Sequence, residues 1–176
     1  MTPTSPKLFN IAGPCHPSKR YMLPALPRLP DATGLIDNEQ YFVLHAPRQS
    51  GKTTTILSMV DSINEKGSYL ALYCALEKLR DLSEVDLFTR KFVASLEMVL
   101  DISKVNALKN AASGSFWTDL RARPGFAKFP VEVTLRTLSA RLDKDLVVFF
   151  DEVDTLQERH LLSFLAQLRT GYGLRG

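Results

Sequence analysis

Hydrophobic and polar positions fall into two alternating patterns along this chain. Runs at 41–46, 68–76 and 146–150 are nearly continuous in apolar, β-branched and aromatic residues, which suits strands of a parallel sheet buried on both faces. Elsewhere the apolar positions recur at helical spacing. Ile56, Leu57, Val60 and Ile63 mark a helix over 52–66, and Gly67 stops it. Val85, Phe88, Phe92, Val93, Leu96, Val99 and Leu100 mark a second over 83–101, capped by Asp81 or Ser83. Val131, Leu135, Leu138 and Leu142 mark a third over 130–143. Leu161, Leu162, Phe164, Leu165 and Leu168 mark a last one over 156–170, with Asp154 as its expected cap. A short helix over 31–38 with Asp31 at its start completes the set. Strands alternating with helices predict an α/β domain with a parallel sheet.

Two stretches resist this reading. Residues 1–30 hold Pro3, Pro6, Pro14, Pro17, Pro24, Pro27 and Pro30, which disfavour regular structure. Apolar groups from Phe9 to Leu29 are spread through the same stretch, so it reads as an N-terminal arm that packs on a body at 31–176. It would either close over the base of a bound nucleotide or cover a sheet edge. Residues 102–130 carry the breakers Ser113-Gly114-Ser115 and Arg123-Pro124-Gly125 around Phe116, Trp117, Phe126 and Phe129. Aromatics among Arg121, Arg123 and Lys128 fit stacking on a single-stranded nucleic acid. They fit better an anchor that buries its rings and leaves its charges in water.

Composition narrows the class without deciding the function. The chain has 176 residues, 45% hydrophobic, with a net charge of +3. That is ordinary for one globular domain and too weak a charge to argue for nucleic acid. No apolar run approaches a membrane span, and no apolar signal segment opens the chain, so a cytoplasmic protein with no membrane partner is expected. Cys15 and Cys74 are far apart, which supports neither a metal site nor a disulfide framework.

The chemistry is concentrated at the ends of two predicted strands. After 41–46 come Ala46, Pro47, Arg48, Gln49, Ser50, Gly51, Lys52, Thr53 and Thr54. This matches the triphosphate-binding pattern G-x-x-x-x-G-K-S/T except that Ala46 replaces the first glycine. Backbone N–H groups of such a loop and the positive end of the following helix hold phosphate oxygens. Gly51 would let the backbone approach, Lys52 would reach the β- and γ-phosphates, and the Thr53 hydroxyl would serve Mg2+. The third predicted strand ends in Asp151-Glu152. Asp151 would hold Mg2+ through its water shell, and Glu152 would polarise a water for attack on the γ-phosphate. His45 reads as a core or hydrogen-bonded histidine, and His160 has no partner that the sequence identifies.

These two motifs, Ala-Pro-Arg-Gln-Ser-Gly-Lys-Thr-Thr and Val-Val-Phe-Phe-Asp-Glu-Val-Asp, resemble the Walker A and Walker B motifs of AAA-like P-loop ATPases. The arm, with Phe9 to Cys15, Tyr21 to Pro24 and Arg28 to Pro30, resembles a prokaryotic AAA-like or archaeal-type branch of them. The resemblance implies a three-layer P-loop NTPase fold, ATP and Mg2+ as cofactors, and Glu152 as catalytic base. It also implies a sensor strand, an arginine finger and a helical lid after Walker B. The chain ends at Gly176 before any of these, so the expected ATPase domain is incomplete, with the C-terminal part of its core missing. Three activities stay open at this point: an ATP-binding module that hydrolyses ATP, a non-catalytic nucleotide-binding or interaction fragment, and a small-molecule kinase. A homo-oligomer or a protein partner is compatible with each.

Overall fold

The structure, a computed structural model, describes residues 31–47 and 49–173, with side chains to Gly171. The proline-rich arm and Arg48 lie outside the described residues. The chain divides into two compact units, and the boundary falls after Glu65.

In the first unit, α1 spans Ala32–Asp37 and α2 spans Lys52–Lys66, its final residue lying past that boundary. Asp31 occupies the cap position of α1 but makes no side-chain capping bond. Between the helices, 41–46 is not a strand, contrary to the sequence expectation. Its exposure nevertheless alternates residue by residue, with Tyr41, Val43 and His45 outward and Phe42, Leu44 and Ala46 half-buried. Val43 is 85% exposed. The apolar run thus alternates in exposure without forming a strand. An apolar run specifies which side chains want burial, whereas a ladder needs a partner strand for its backbone groups. His45 is exposed rather than a core residue.

Helix α2 starts and stops where the sequence predicts, with Gly67 at φ 72 just beyond it. The left-handed backbone there is one that glycine adopts at little cost. Its buried residues are Ile56 and Met59, so the packed face is set three residues apart rather than by the whole predicted stripe.

The second unit, Lys66–Gly176, holds the sheet. Strands β1 (Leu70–Ala75) and β2 (Leu146–Asp151) pair in parallel, from Leu70 opposite Leu146 to Ala75 opposite Asp151. They are the only strands among the described residues. A long helical connection joins them: α3 (Val85–Asp101), α4 (Asn106–Ala111), α5 (Phe116–Arg121) and α6 (Pro130–Ser139). After β2 comes α7 (Glu158–Gly173). The molecule is therefore α/β, with a small parallel sheet.

Alternation along the strands divides the two faces. Leu70, Leu72 and Cys74 of β1 join the main core with Phe88, Phe92, Leu96 and Phe164, and Phe150 of β2 packs against it. The Phe150 and Phe164 rings meet edge-on at 5.0 Å. The opposite face carries Ala71, Tyr73, Phe149 and Asp151, of which all but Tyr73 are buried.

The segment hardest to read from sequence contributes to the same core. Phe116 and Phe126 are buried, as an anchoring role requires, while Phe129 stays 39% exposed. Arg141 lies over the Phe116 ring at 4.8 Å. The start of α6 is satisfied from another helix: Gln167 of α7 accepts from the N–H groups of Val131 (2.9 Å) and Glu132 (3.4 Å). Pro130 fills the position that lacks an N–H to offer. The expected caps of α3 are not used, since Glu84 occupies the cap position without a side-chain bond. Asp154 does not cap α7 either; it lies in a 3-10 turn, Val153–Thr155, and is exposed.

Candidate functional site

The predicted phosphate loop runs directly into α2. The Ser50 N–H donates to the Pro47 carbonyl at 3.3 Å, which closes a turn. Gln49 and Gly51 both take left-handed backbone, at φ 62 and φ 86. The Thr55 N–H then donates to the Gly51 carbonyl at 2.9 Å and begins the helix. A Cβ built on Gly51 meets nothing within 4 Å. The backbone angle, and not crowding by the protein itself, is what asks for glycine there.

Lys52, Thr53 and Thr54 form the first turn of α2 and are half-buried. No acidic residue occupies that first turn, so the positive end of the helix dipole is not offset by the helix's own carboxylates. Ala46, Pro47, Gln49 and Ser50 lie on the approach, with Pro47, Gln49 and Ser50 exposed.

The acidic pair is built differently. Asp151 is the last residue of β2 and is 2% exposed. Its carbonyl accepts from the Leu76 N–H at 2.9 Å, which ties the strand end to the chain leaving β1. Its carboxylate accepts from the Glu152 N–H at Oδ1 (2.9 Å) and from the Tyr73 hydroxyl at Oδ2 (3.3 Å). A carboxylate this deeply buried needs such donors. Tyr73 reaches it because it stands opposite Phe149, two residues earlier on the same face.

Burial, and then the charge of Asp151, pushes the Tyr73 phenol from 10.0 up to about 12. The phenol therefore remains a proton donor to the carboxylate at neutral pH. Sequence reasoning missed Tyr73. Its only signal was a hydroxyl in the middle of an otherwise apolar run.

Glu152 follows at φ 58, ψ 33. Left-handed backbone at a residue with a Cβ costs about 1–2 kcal/mol. The conformation is held by Thr155, whose N–H (3.1 Å) and hydroxyl (2.7 Å) both donate to the Glu152 carbonyl. The turn aims the chain away from the strand line immediately after Asp151 and leaves Glu152 half-buried. Strain of this kind gathers at functional positions.

Among the described residues no group of three or more His, Cys, Asp or Glu side chains is placed to hold a metal. A hard cation such as Mg2+ asks for less, since it takes one or two protein oxygens and keeps several waters. The loop and the acidic pair belong to different units. No described helix is long and apolar enough to cross a membrane.

Compared with protein-family models, with curated proteins and with solved structures, the chain matches none.

Proposed function

We infer that the protein binds ATP with Mg2+ through the 46–54 loop and the Asp151-Glu152 pair, and that Glu152 serves hydrolysis of the γ-phosphate. The observation that carries this reading is the loop-to-helix junction: Gly51 in left-handed backbone, followed at once by Lys52 and Thr53 on a fifteen-residue helix with no acid in its first turn. A junction of this type presents N–H groups and dipole to an anion. Lys52 would add a point charge at the β- and γ-phosphates, and Thr53 a metal ligand.

The buried Asp151 supplies the second half. Its donors, Tyr73 and the Glu152 backbone, orient the carboxylate. Bound Mg2+ would neutralise phosphate charge and help align the reacting groups. Glu152 would accept a proton from the attacking water. The finer fold assignment, a three-layer P-loop NTPase, belongs to this same proposal. The parallel β1–β2 pair, with an acid at a strand's C-terminal end, supports it.

A second reading, binding without turnover, is favoured by one observation. Residues 41–46, which precede the loop, do not form a strand of the sheet. Isothermal titration with Mg2+-ATP and a phosphate-release assay separate the two. Lys52→Ala is expected to weaken ATP binding by about 100-fold, the loss of one strong charge-assisted contact. Glu152→Gln is expected to keep binding and abolish phosphate release. Equal ATP affinity in wild type and Lys52→Ala sinks the nucleotide reading. Binding with no release in wild type selects the second.

A further inference from the structure

Strand β2 pairs with β1 on one side only, and the geometry of the pair says which of its residues face the other way. In a parallel ladder, alternate residues of a strand turn their N–H and C=O groups toward the neighbour. The Leu70 N–H donates to the Asp145 carbonyl and the Leu76 N–H to the Asp151 carbonyl, both at 2.9 Å. With Ala71 opposite Val147 and Tyr73 opposite Phe149, this parity turns Val147, Phe149 and Asp151 toward β1. Leu146, Val148 and Phe150 turn their backbone groups away from it. Among the described residues no hydrogen bond reaches those outward groups.

An edge of this kind is a template for another strand, and chains that stay apart blunt it with lysine, proline or a charge. Residues 146–150 read Leu-Val-Val-Phe-Phe and contain none of these. Leu146, Val148 and Phe150 are half-buried, not covered.

The edge is also complementary to itself. Two copies related by a two-fold axis normal to the sheet place their edge strands antiparallel. Opposite residues then exchange both backbone bonds only where each turns its groups toward the other. With the axis at Val148, Leu146 stands opposite the partner's Phe150, and Val148 opposite the partner's Val148. All three outward-facing residues are used at once. Moving the axis by one residue leaves one of them without an opposite number in the strand.

The same register sets Lys144 opposite the partner's Glu152, twice by symmetry. Lys144 is exposed and donates to the Gly67 carbonyl at 2.6 Å, and an ammonium has two further protons to offer. Asp145 falls opposite the partner's Asp151. That repulsion is blunted, because the Asp151 carboxylate is buried and already accepts from Tyr73 and from the Glu152 N–H.

We propose that β2 is a dimer interface, on which two copies of this chain join β2 to β2, antiparallel about Val148, into one four-stranded sheet with Lys144 against the partner's Glu152 at each end. The axis preserves the two faces of the sheet. Leu146, Val148 and Phe150 of both copies therefore line the side on which Phe150 meets Phe164. A strand pair this short makes a small interface, which suits reversible association. The inference uses Glu152 for its charge alone and does not rest on the nucleotide reading.

Sedimentation of the full chain from about 1 µM to about 1 mM should show a reversible shift from monomer to dimer. Hydrogen exchange should identify the edge: the Leu146, Val148 and Phe150 amides slow about tenfold on dimerisation, whereas those of Val147 and Phe149, already bonded to β1, change little. Lys144→Glu and Glu152→Lys each set like charges at both ends, and each should weaken the dimer about tenfold. Mixing these two variants should restore it, since every end contact of the mixed pair joins opposite charges. Val148→Pro removes the N–H on the axis and leaves the β1 ladder its bonds; it should abolish the dimer, with its unfolding midpoint checking that it folds. A chain that stays monomeric over the whole range overturns the proposal. So does a dimer without the alternating exchange pattern, or charge variants that associate no better mixed than alone.

Discussion

Helix α2, in the first unit, buries only Ile56 and Met59 of its fifteen residues, whereas α3 in the second buries seven of seventeen. The loop that reads as a phosphate site thus stands at the head of a lightly buried helix. The acid that reads as its metal ligand stands at the end of a strand with core packed on one face. The two regions are held in place by two different means. In the first region backbone conformation sets the site, through left-handed angles at Gln49 and Gly51 and the turn closed on Pro47. In the second, packing and side-chain hydrogen bonds set it, through Tyr73 and the ladder that fixes Asp151 opposite Ala75.

The sharpest way to break this contrast is to damage each region by its own means. Phe92 is fully buried and its ring lies 6.3 Å from those of Phe88, Phe150 and Phe164. Phe92→Ala should cost about 3–5 kcal/mol in denaturant unfolding, the range for a large aromatic lost from a packed core. Gly51→Ala meets open space, so its cost is limited to the left-handed backbone, about 1–2 kcal/mol. That cost should appear mainly as faster amide exchange over 50–55. A loss for Gly51→Ala as large as that for Phe92→Ala would show that the loop region is as tightly coupled to stability as the core.

Glu152 lies where the two means meet, since a strained backbone angle follows directly on a packed strand. Glu152→Gly should raise stability by about 0.5–1 kcal/mol, because glycine relieves the left-handed angle at some entropic cost. Glu152→Gln keeps the Cβ and should leave the unfolding midpoint where it was. A glycine variant less stable than wild type would mean that the Glu152 side chain contributes more than its backbone costs.

The smallest effect concerns the Tyr73–Asp151 contact. Burial and the neighbouring carboxylate raise the phenol from 10.0 to about 12 in the folded protein. The folded state therefore holds this proton more tightly than the unfolded chain does. The resulting stabilisation is complete below pH 10 and is lost as pH rises from 10 towards 12. Ultraviolet titration should show one tyrosine ionising well above the others. Asp151→Asn should lower that midpoint only part of the way, since burial is the larger cause. An unmoved midpoint in Asp151→Asn would remove the carboxylate from the account of Tyr73.

Helices 52–66, 83–101 and 130–143 were legible because their apolar positions repeat at a period set by the helix itself. The same holds for the stop at Gly67, a purely local backbone requirement. The last helix was legible in extent but not in its buried face: Phe164 is buried while Leu162 is 61% and Leu165 48% exposed. Periodicity reports a wide stripe, and the neighbours present decide how much of it is covered. The helices within 102–130 were hidden because α4 and α5 are six residues each, too short to repeat a pattern.

By itself the sequence determined the local features: a turn that runs into a helix at Lys52, a strand that ends at Asp151 with Glu152 directly after it, and where most helices run. Each of these follows from neighbours a few positions apart. The tertiary structure alone decided the rest. It left 41–46 out of the sheet, since a ladder requires a partner strand that no local pattern specifies. It brought the Tyr73 hydroxyl to a carboxylate seventy-eight positions away, across a parallel pair. It also turned His160 from a histidine without a named role into a buried ring stacked on Phe88. Burial and hydrogen bonding depend on what the rest of the chain places nearby, and that information is distributed over the whole sequence.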